Sequence, residues 1–523
     1  MSETAVTVRD RMLTMSDGVR LFTRIVLPGD GRGTYPTVFH RSPYRAETEI
    51  TEETYRKYGE DPFLLRGCAV VFQHCRGRFG SEGECIPYSK EERQDGLDTL
   101  ALIRKMPHYN GEIFLRGGSY SASVLMLMLD EPMPDVKGIC FSVQTESMYH
   151  RNFLNGLCRS FSGFSWWLSM ISGQHPRIAG DQEIYVRPYR DLMRRAIGRD
   201  IPEFTDTLMN DRYNDFWKND HRRGIMENLT IPLLLVGGWY DYYCFGMCRM
   251  WEKLPPETRA KSCFLMGPWG HSTHVREPGD YPLPGGDLPA DREAAWFDSV
   301  RTGKPFPYGR PGTFRYYTVG DHVWREAESP YETAPGRRLF LTAGGGLSPR
   351  RPAGSRRSFV YDPEAVTARD RHDDLFLCYD PGTYDDVLSF VSSAFPEDVR
   401  FFGPLRIRGE LSSDCDDTSF FFRVYLVEDG KSYNLVDCAT TLLHADETYR
   451  RGQRCRVDLL TQPTAFLVKR GCRIRLDISS YSNCFVPHAN TARHFALETK
   501  TKVAENTVFF GQTELLLPEV ASS

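Results

Sequence analysis

The sequence predicts an α/β protein with a second, all-β domain behind it. Three observations carry that prediction. Before residue 147, short apolar runs alternate with amphipathic helical windows, the pattern of βαβ units and a mostly parallel sheet. The same buried-strand pattern returns after residue 227. Beyond about residue 334, alternating strands follow one another with few helical windows, as in a β-sandwich.

Each element has a local reason. Arg11–Met15 and Val19–Val26 flank Ser16-Asp17-Gly18, a strand, an Asp-Gly turn and a strand. Thr37–His40 is a strand that runs into Arg41-Ser42-Pro43-Tyr44. Cys68–Gln73 is a short apolar run bounded by polar turns and suits a strand buried on both faces. Asp95–Arg104 places apolar residues at 97, 100, 101 and 103, a helical face. Glu112–Arg116 is a strand that breaks at Gly117-Gly118-Ser119-Tyr120, and Ser121–Leu129 is helical. From 148 to 226 Val and Ile thin out while aromatics, Met and Arg rise, which predicts a helical insertion. Ile231–Gly238, Ser262–Met266 and Phe314–Thr318 resume the sheet. Tyr281–Leu288 reads as a surface loop and Ala334-Pro335-Gly336 as a linker. Strands are then expected at 338–341, 358–361, 405–411, 419–428, 454–459, 473–479 and 508–517. The resulting division is 1–147 and 227–333 for the sheet domain, 148–226 for the insertion and 334–523 for the β domain.

Composition narrows the function. Lys and Arg number 65 against 69 Asp and Glu, so a phosphate-neutralising nucleic-acid protein is not expected. The longest apolar runs, such as Val124–Leu129 and Ile231–Val236, are far short of the ~18 residues that span a membrane. The N-terminus has no basic, apolar leader, which predicts a cytoplasmic protein whose 14 cysteines stay reduced. Cys244 and Cys248 could share a helix face, but no further ligands lie at useful spacing, so buried thiols are expected and no metal.

The chemistry centres on Ser119. A strand entering Gly117-Gly118-Ser119 and a helix leaving it is the setting of a nucleophile elbow, where the hydroxyl stands clear of the strand tip. The strict G-x-S-x-G form is broken by Ser121. A serine nucleophile needs a base, and the base an orienting acid. In α/β-hydrolases these follow as Ser, acid, His, each after a strand. Asp241 in Gly237-Gly-Trp-Tyr-Asp241 and His271 in Gly267-Pro-Trp-Gly-His271 satisfy that order, with His274 a nearby alternative base.

These segments make the chain resemble the cocaine esterase family of serine hydrolases, which includes α-amino acid ester hydrolases, glutaryl acylases and X-Pro dipeptidyl-peptidases. The matching residues are Asp17-Gly18-Val19-Arg-Leu21, Arg41-Ser-Pro-Tyr44, Gln73-His-Cys-Arg76-Gly77 with Ser81-Glu82-Gly83, Gly117-Gly-Ser119-Tyr120, the two segments ending in Asp241 and His271, and Leu476-Asp-Ile-Ser-Ser480 with Phe485. The resemblance implies an α/β-hydrolase core, a helical cap and a C-terminal jelly roll. It implies that the Tyr44 hydroxyl and the Tyr120 backbone N–H receive the oxyanion. Two residues depart from the pattern: His74 stands where the family has Asp, and Ala122 where it has Gly.

In the cap, Phe161, Trp166 and Trp167 are candidates for an acyl pocket or for the cap's own core. Asp181, Glu183 and Asp191 do not match the acidic cluster that holds an ammonium in α-amino ester hydrolases, and read as a solvated face. The X-Pro peptidase relatives carry an extra N-terminal domain, and a sequence that opens on the core is expected to have a different activity. The expected activity is hydrolysis of a small-molecule carboxylic ester through an acyl-enzyme. It needs no metal or organic cofactor and no nucleic-acid or membrane partner, and a homodimer is compatible with it. An amide or peptide hydrolase would use the same residues. A binding protein working through the jelly roll, with an idle triad, is the third reading.

Overall fold

The apolar runs become the strands of a ten-stranded sheet. In chain order these are β1 (Val6–Thr14), β2 (Arg20–Pro28), β3 (Tyr35–Ser42), β4 (Ala69–His74), β5 (Tyr109–Gly118) and β6 (Val136–Ser142). A separate hairpin, β7 (Phe153–Leu154) and β8 (Leu157–Cys158), interrupts before the sheet resumes. It continues with β9 (Leu233–Gly238), β10 (Cys263–Gly267), β11 (Phe314–Thr318) and β12 (Val323–Ala327). The computed structural model describes residues 5–44, 52–172, 186–219, 224–273, 281–331, 336–368 and 381–520.

The spatial order is β1-β2-β4-β3-β5-β6-β9-β10-β11-β12. From β4 to β11 neighbouring strands run parallel, while β1, β2 and β12 are antiparallel at the two edges. Central strands are apolar on both faces, and every residue of β9 and β10 is buried. The edge strand β1 is only half-buried and carries polar residues, which hides part of it from a hydrophobicity reading; it begins at Val6 rather than Arg11. Chain order reverses between β3 and β5, and ligands in open α/β sheets bind beyond the strand ends at such a reversal.

Between β6 and β9 the chain forms the cap. It contains Met148–Asn152, the β7–β8 hairpin, a π-helical turn at Phe161–Ser165 and Trp166–Ser172. The helices Leu192–Ile197, Pro202–Met209, Asp215–Lys218 and Ile225–Asn228 follow. The hairpin is an addition to the purely helical insertion expected. Phe153, Phe164, Trp167, Leu192, Phe204 and Leu208 form the cap's own core.

The jelly roll builds a second ten-stranded sheet from Gly336–Leu341 to Ala504–Pro518. Its contacts with the rest fix the site. Gln462 donates to the Trp239 carbonyl at 2.7 Å, holding the loop after β9. Val319 exchanges backbone bonds with Ala465 and Leu467 at 3.0 and 2.7 Å. On the cap side, Ser160 N–H reaches Cys484 O at 3.0 Å and Val486 N–H reaches Cys158 O at 2.9 Å. Tyr281–Leu288 is a surface loop without strand or helix, as expected, anchored by the buried Tyr281 and Leu283. The described cysteines form no disulfide, and only Cys472 and Cys484 among them are part-exposed. No helix among the described residues is long and apolar enough to cross a membrane.

Candidate active site

The loop after β5 is bent by necessity. Ser119 sits at φ 54°, ψ −129°, a conformation unfavourable for a residue with a Cβ. It is held from both sides: its N–H donates to Ser142 O at 2.9 Å, and its carbonyl accepts from Ala122 N–H at 3.0 Å. A Cβ at Gly117 would lie 2.6 Å from the Ala122 nitrogen, so the tight return of the helix requires glycine there. Tyr120–Met126 starts immediately, and the Tyr120 N–H, at its first position, has no intrahelical acceptor. Ala122 is fully buried within the core, so its methyl group is absorbed by packing.

Asp241 and His271 follow β9 and β10, which are neighbours in the sheet. Trp239 N–H donates to Gly267 O and Tyr240 N–H to Trp269 O, both at 3.0 Å, which ties the two loops together. Any side chain on Gly238 would overlap the Trp269 carbonyl. Asp241 is buried and accepts the Tyr243 N–H at 3.1 Å. His271 Nδ1 lies 3.2 and 3.3 Å from the two Asp241 oxygens, and its Nε2 lies 2.9 Å from Ser119 Oγ. With Nδ1–H donating to the carboxylate, Nε2 is the acceptor for the serine hydroxyl. The imidazole stacks on Tyr242 at 5.0 Å.

Tyr44 follows β3, across the strand reversal from Ser119. Its hydroxyl is 3.3 Å from Ser119 Oγ and accepts the Trp166 Nε1–H at 3.3 Å. Tyr44, Ser119, Trp166 and His271 line a cavity of about 420 Å³ together with His40, Arg116, Ser142, Val143, Thr273 and Glu293. Trp167 does not line it: its ring packs on Tyr88, Trp166 and Phe204 inside the cap. Phe161 opens the π-helical turn, and its side chain lies outside the described set. His274, Asp181 and Glu183 also lie outside the described residues, as do Ala334 and Pro335.

Two features escaped the sequence reading. Arg151, buried in the cap, lies 4.2 Å from the Trp166 ring centre and donates to Tyr243 Oη at 3.1 Å. A cation on that aromatic face is favourable, and it holds the indole whose N–H meets Tyr44. Beneath the elbow, the Tyr120 hydroxyl donates to the buried Glu92 and accepts the Tyr88 N–H at 2.9 Å. Burial pushes the Glu92 carboxyl up to about 7, against the pull of the Tyr120 bond and Arg41. No local pattern marks Arg151 or Glu92, because the bonds to Tyr243 and Tyr120 span 92 and 28 residues of chain.

The His74 departure has a structural answer. Arg76 is bonded to Asp95 at 2.6 Å and to Asp17 at 2.8 Å without involving His74. His74 is buried among Phe22, Phe72 and Phe79, and burial holds it near pKa 4, as a neutral ring. Cys244 and Cys248 are buried on one helix, as expected of packed thiols.

Residues 17–273 match the family model of the X-Pro dipeptidyl-peptidase (S15 family). Residues 310–515 match that of the X-Pro dipeptidyl-peptidase C-terminal non-catalytic domain. The chain is 25% identical over 528 residues to cocaine esterase of Rhodococcus sp. (strain MB1 Bresler), covering 90% of each protein. Its fold is similar to that of an α-amino acid ester hydrolase, with TM-score 0.82 and 20% identity over 99% of this chain and 97% of the other. An aminopeptidase from a marine sediment archaeon, Thaumarchaeota archaeon, matches with TM-score 0.81 and 19% identity over the same shares, 99% and 97%.

Proposed function

The chain belongs to the X-Pro dipeptidyl-peptidase (S15) family of serine hydrolases, and from that premise we propose that it cleaves a carboxylic ester through an acyl-enzyme on Ser119. The observation that carries the reading is the continuous hydrogen-bonded line from Ser119 Oγ through His271 to the buried Asp241, at 2.9 and 3.2 Å. His271 Nε2 takes the Ser119 proton as Oγ attacks the ester carbonyl, and Asp241 stabilises the imidazolium. The Tyr44 hydroxyl and the Tyr120 N–H receive the oxyanion. Because Tyr44 already accepts from Trp166, its own hydrogen is free to point at that oxygen. His271 returns the proton to the leaving alcohol, and water repeats the sequence in reverse to release the acid. The same steps would cleave an amide, with the amine as leaving group.

A fluorophosphonate probe tests the nucleophile. The folded wild-type protein is expected to label at Ser119, located by mass mapping, and Ser119→Ala is expected not to label. Labelling elsewhere, or none on a folded sample, would remove the reading. Matched ester and anilide substrates then separate esterase from amidase.

A further inference from the structure

The cavity holds an ion pair that hydrolysis at Ser119 does not use. Arg116 lies on β5, three residues before Ser119, so their backbones are at most roughly 10 Å apart. Its Nε donates to Glu293, on the helix Arg292–Thr302, and Phe63 covers the guanidinium at 5.3 Å. Both charged residues line the same cavity as Ser119 and His271. Arg116 keeps 40% of its side-chain surface exposed, against 14% for Glu293. With Nε committed, neither Nη1 nor Nη2 donates to any described residue, which leaves the planar end of the fork open.

Further charged groups surround the pair. A second guanidinium, Arg292, is buried behind it; its Nη2 donates to Thr273 Oγ1 at 3.1 Å, and its Nε has no partner among the described residues. The neighbouring Asp291 is engaged by Arg66 at 2.6 Å and by Tyr308 at 2.8 Å. Glu293 acts on Arg116 most strongly and Asp61 more weakly, while Arg292 acts with Arg116 on Glu293. Ser142 Oγ and the ring of His40 complete the polar lining; burial holds His40 near pKa 3, so it adds no charge.

We propose that this floor is a carboxylate subsite, and that the substrate hydrolysed at Ser119 carries an acidic group a few carbons from the scissile carbonyl, seated on Nη1 and Nη2 of Arg116. A guanidinium end and a carboxylate match in a two-point bond, which no single-point partner reproduces. The assignment rests on Ser119 being the nucleophile. It does not depend on which side of the ester carries the acid.

Two substrate pairs test it. In the acyl pair, mono-4-nitrophenyl adipate is compared with its methyl ester. In the alcohol pair, 3-acetoxybenzoate is compared with methyl 3-acetoxybenzoate. In one pair, kcat/KM is expected to favour the acid by about tenfold or more, the range of a hydrogen-bonded charge pair. Arg116→Gln is expected to bring that ratio down toward one. Glu293→Gln removes the opposing charge and is expected to raise it. A purely structural ion pair would not move the ratio in opposite directions. If Arg116→Gln does not fold, Glu293→Gln alone decides, since the ratio must rise. Ser119-dependent hydrolysis of the neutral esters with a ratio near one in both pairs overturns the subsite and leaves the nucleophile standing. Absence of Ser119-dependent hydrolysis of all four esters overturns both.

Discussion

Replacing Tyr44 by Phe deletes one oxygen, and that oxygen has two jobs. It lies 3.3 Å from Ser119 Oγ, where it can donate to the oxyanion, and it accepts the Trp166 N–H at 3.3 Å. The Tyr120 N–H remains as the other donor, so the loss is that of a single oxyanion contact, about 10²–10³ in kcat, or roughly 2.7–4 kcal/mol of barrier. The ground-state ester gains little from the same hydroxyl, so KM is expected to change by less than about threefold. A second cost falls on stability. Trp166 is 4% exposed, and its N–H loses its acceptor, an unsatisfied buried donor worth about 1–3 kcal/mol. Initial rates of 4-nitrophenyl butyrate hydrolysis give the first number and urea unfolding the second. Trp166→Phe separates the two jobs, because it keeps the Tyr44 hydroxyl but removes the donor that positions it; a loss of about tenfold in kcat is expected. A Tyr44→Phe enzyme turning over within about threefold of wild type would refute the oxyanion role and the alignment of Trp166 with it.

Two further substitutions probe what lies behind these groups. Asp241→Asn should lower kcat by about 10⁴, because an amide can donate to Nδ1 and so favours the tautomer whose Nε2 carries the proton; loss of ten-fold or less in single-turnover acylation would contradict it. Glu92 ionises less readily folded, near pH 7, than its ordinary value of 4.5, so the folded state binds the extra proton between those values. Its contribution to stability therefore falls as pH rises from about 4.5 to about 7 and is level above that. Glu92→Gln should abolish this decline, so the urea midpoint of the variant gains on wild type between pH 5 and pH 8; parallel midpoints would show that Glu92 is ionised throughout.

Much of the fold was legible because buried parallel strands announce themselves. Leu233–Gly238 and Cys263–Gly267 are apolar along their whole length, and Phe314–Thr318 has the bounds expected of it. β6 was not singled out, since Lys137 and Gly138 interrupt its apolar run, although its neighbours β5 and β9 bury it. The start of the helix Lys90–Ile103 was set five residues late. Its first turns carry the charged residues Glu92 and Asp95, which are buried by Tyr120, Arg41 and Arg76. Polar residues buried by distant partners look like surface in one dimension.

Sequence by itself determined the elements that depend on neighbours along the chain. These are the glycines that let Ser119 turn, the order of Ser119, Asp241 and His271 after their strands, and the alternation of the jelly roll. Only the tertiary structure decided which side chains meet around them. It put Trp166 on Tyr44 and Trp167 in the cap core, set Arg151 against the Trp166 ring, and opened the cavity onto Arg116 and Glu293. The physical reason is range. Turn strain and strand burial are fixed within a few residues, whereas a hydrogen bond across 122 residues of chain exists only once the cap has packed against the sheet.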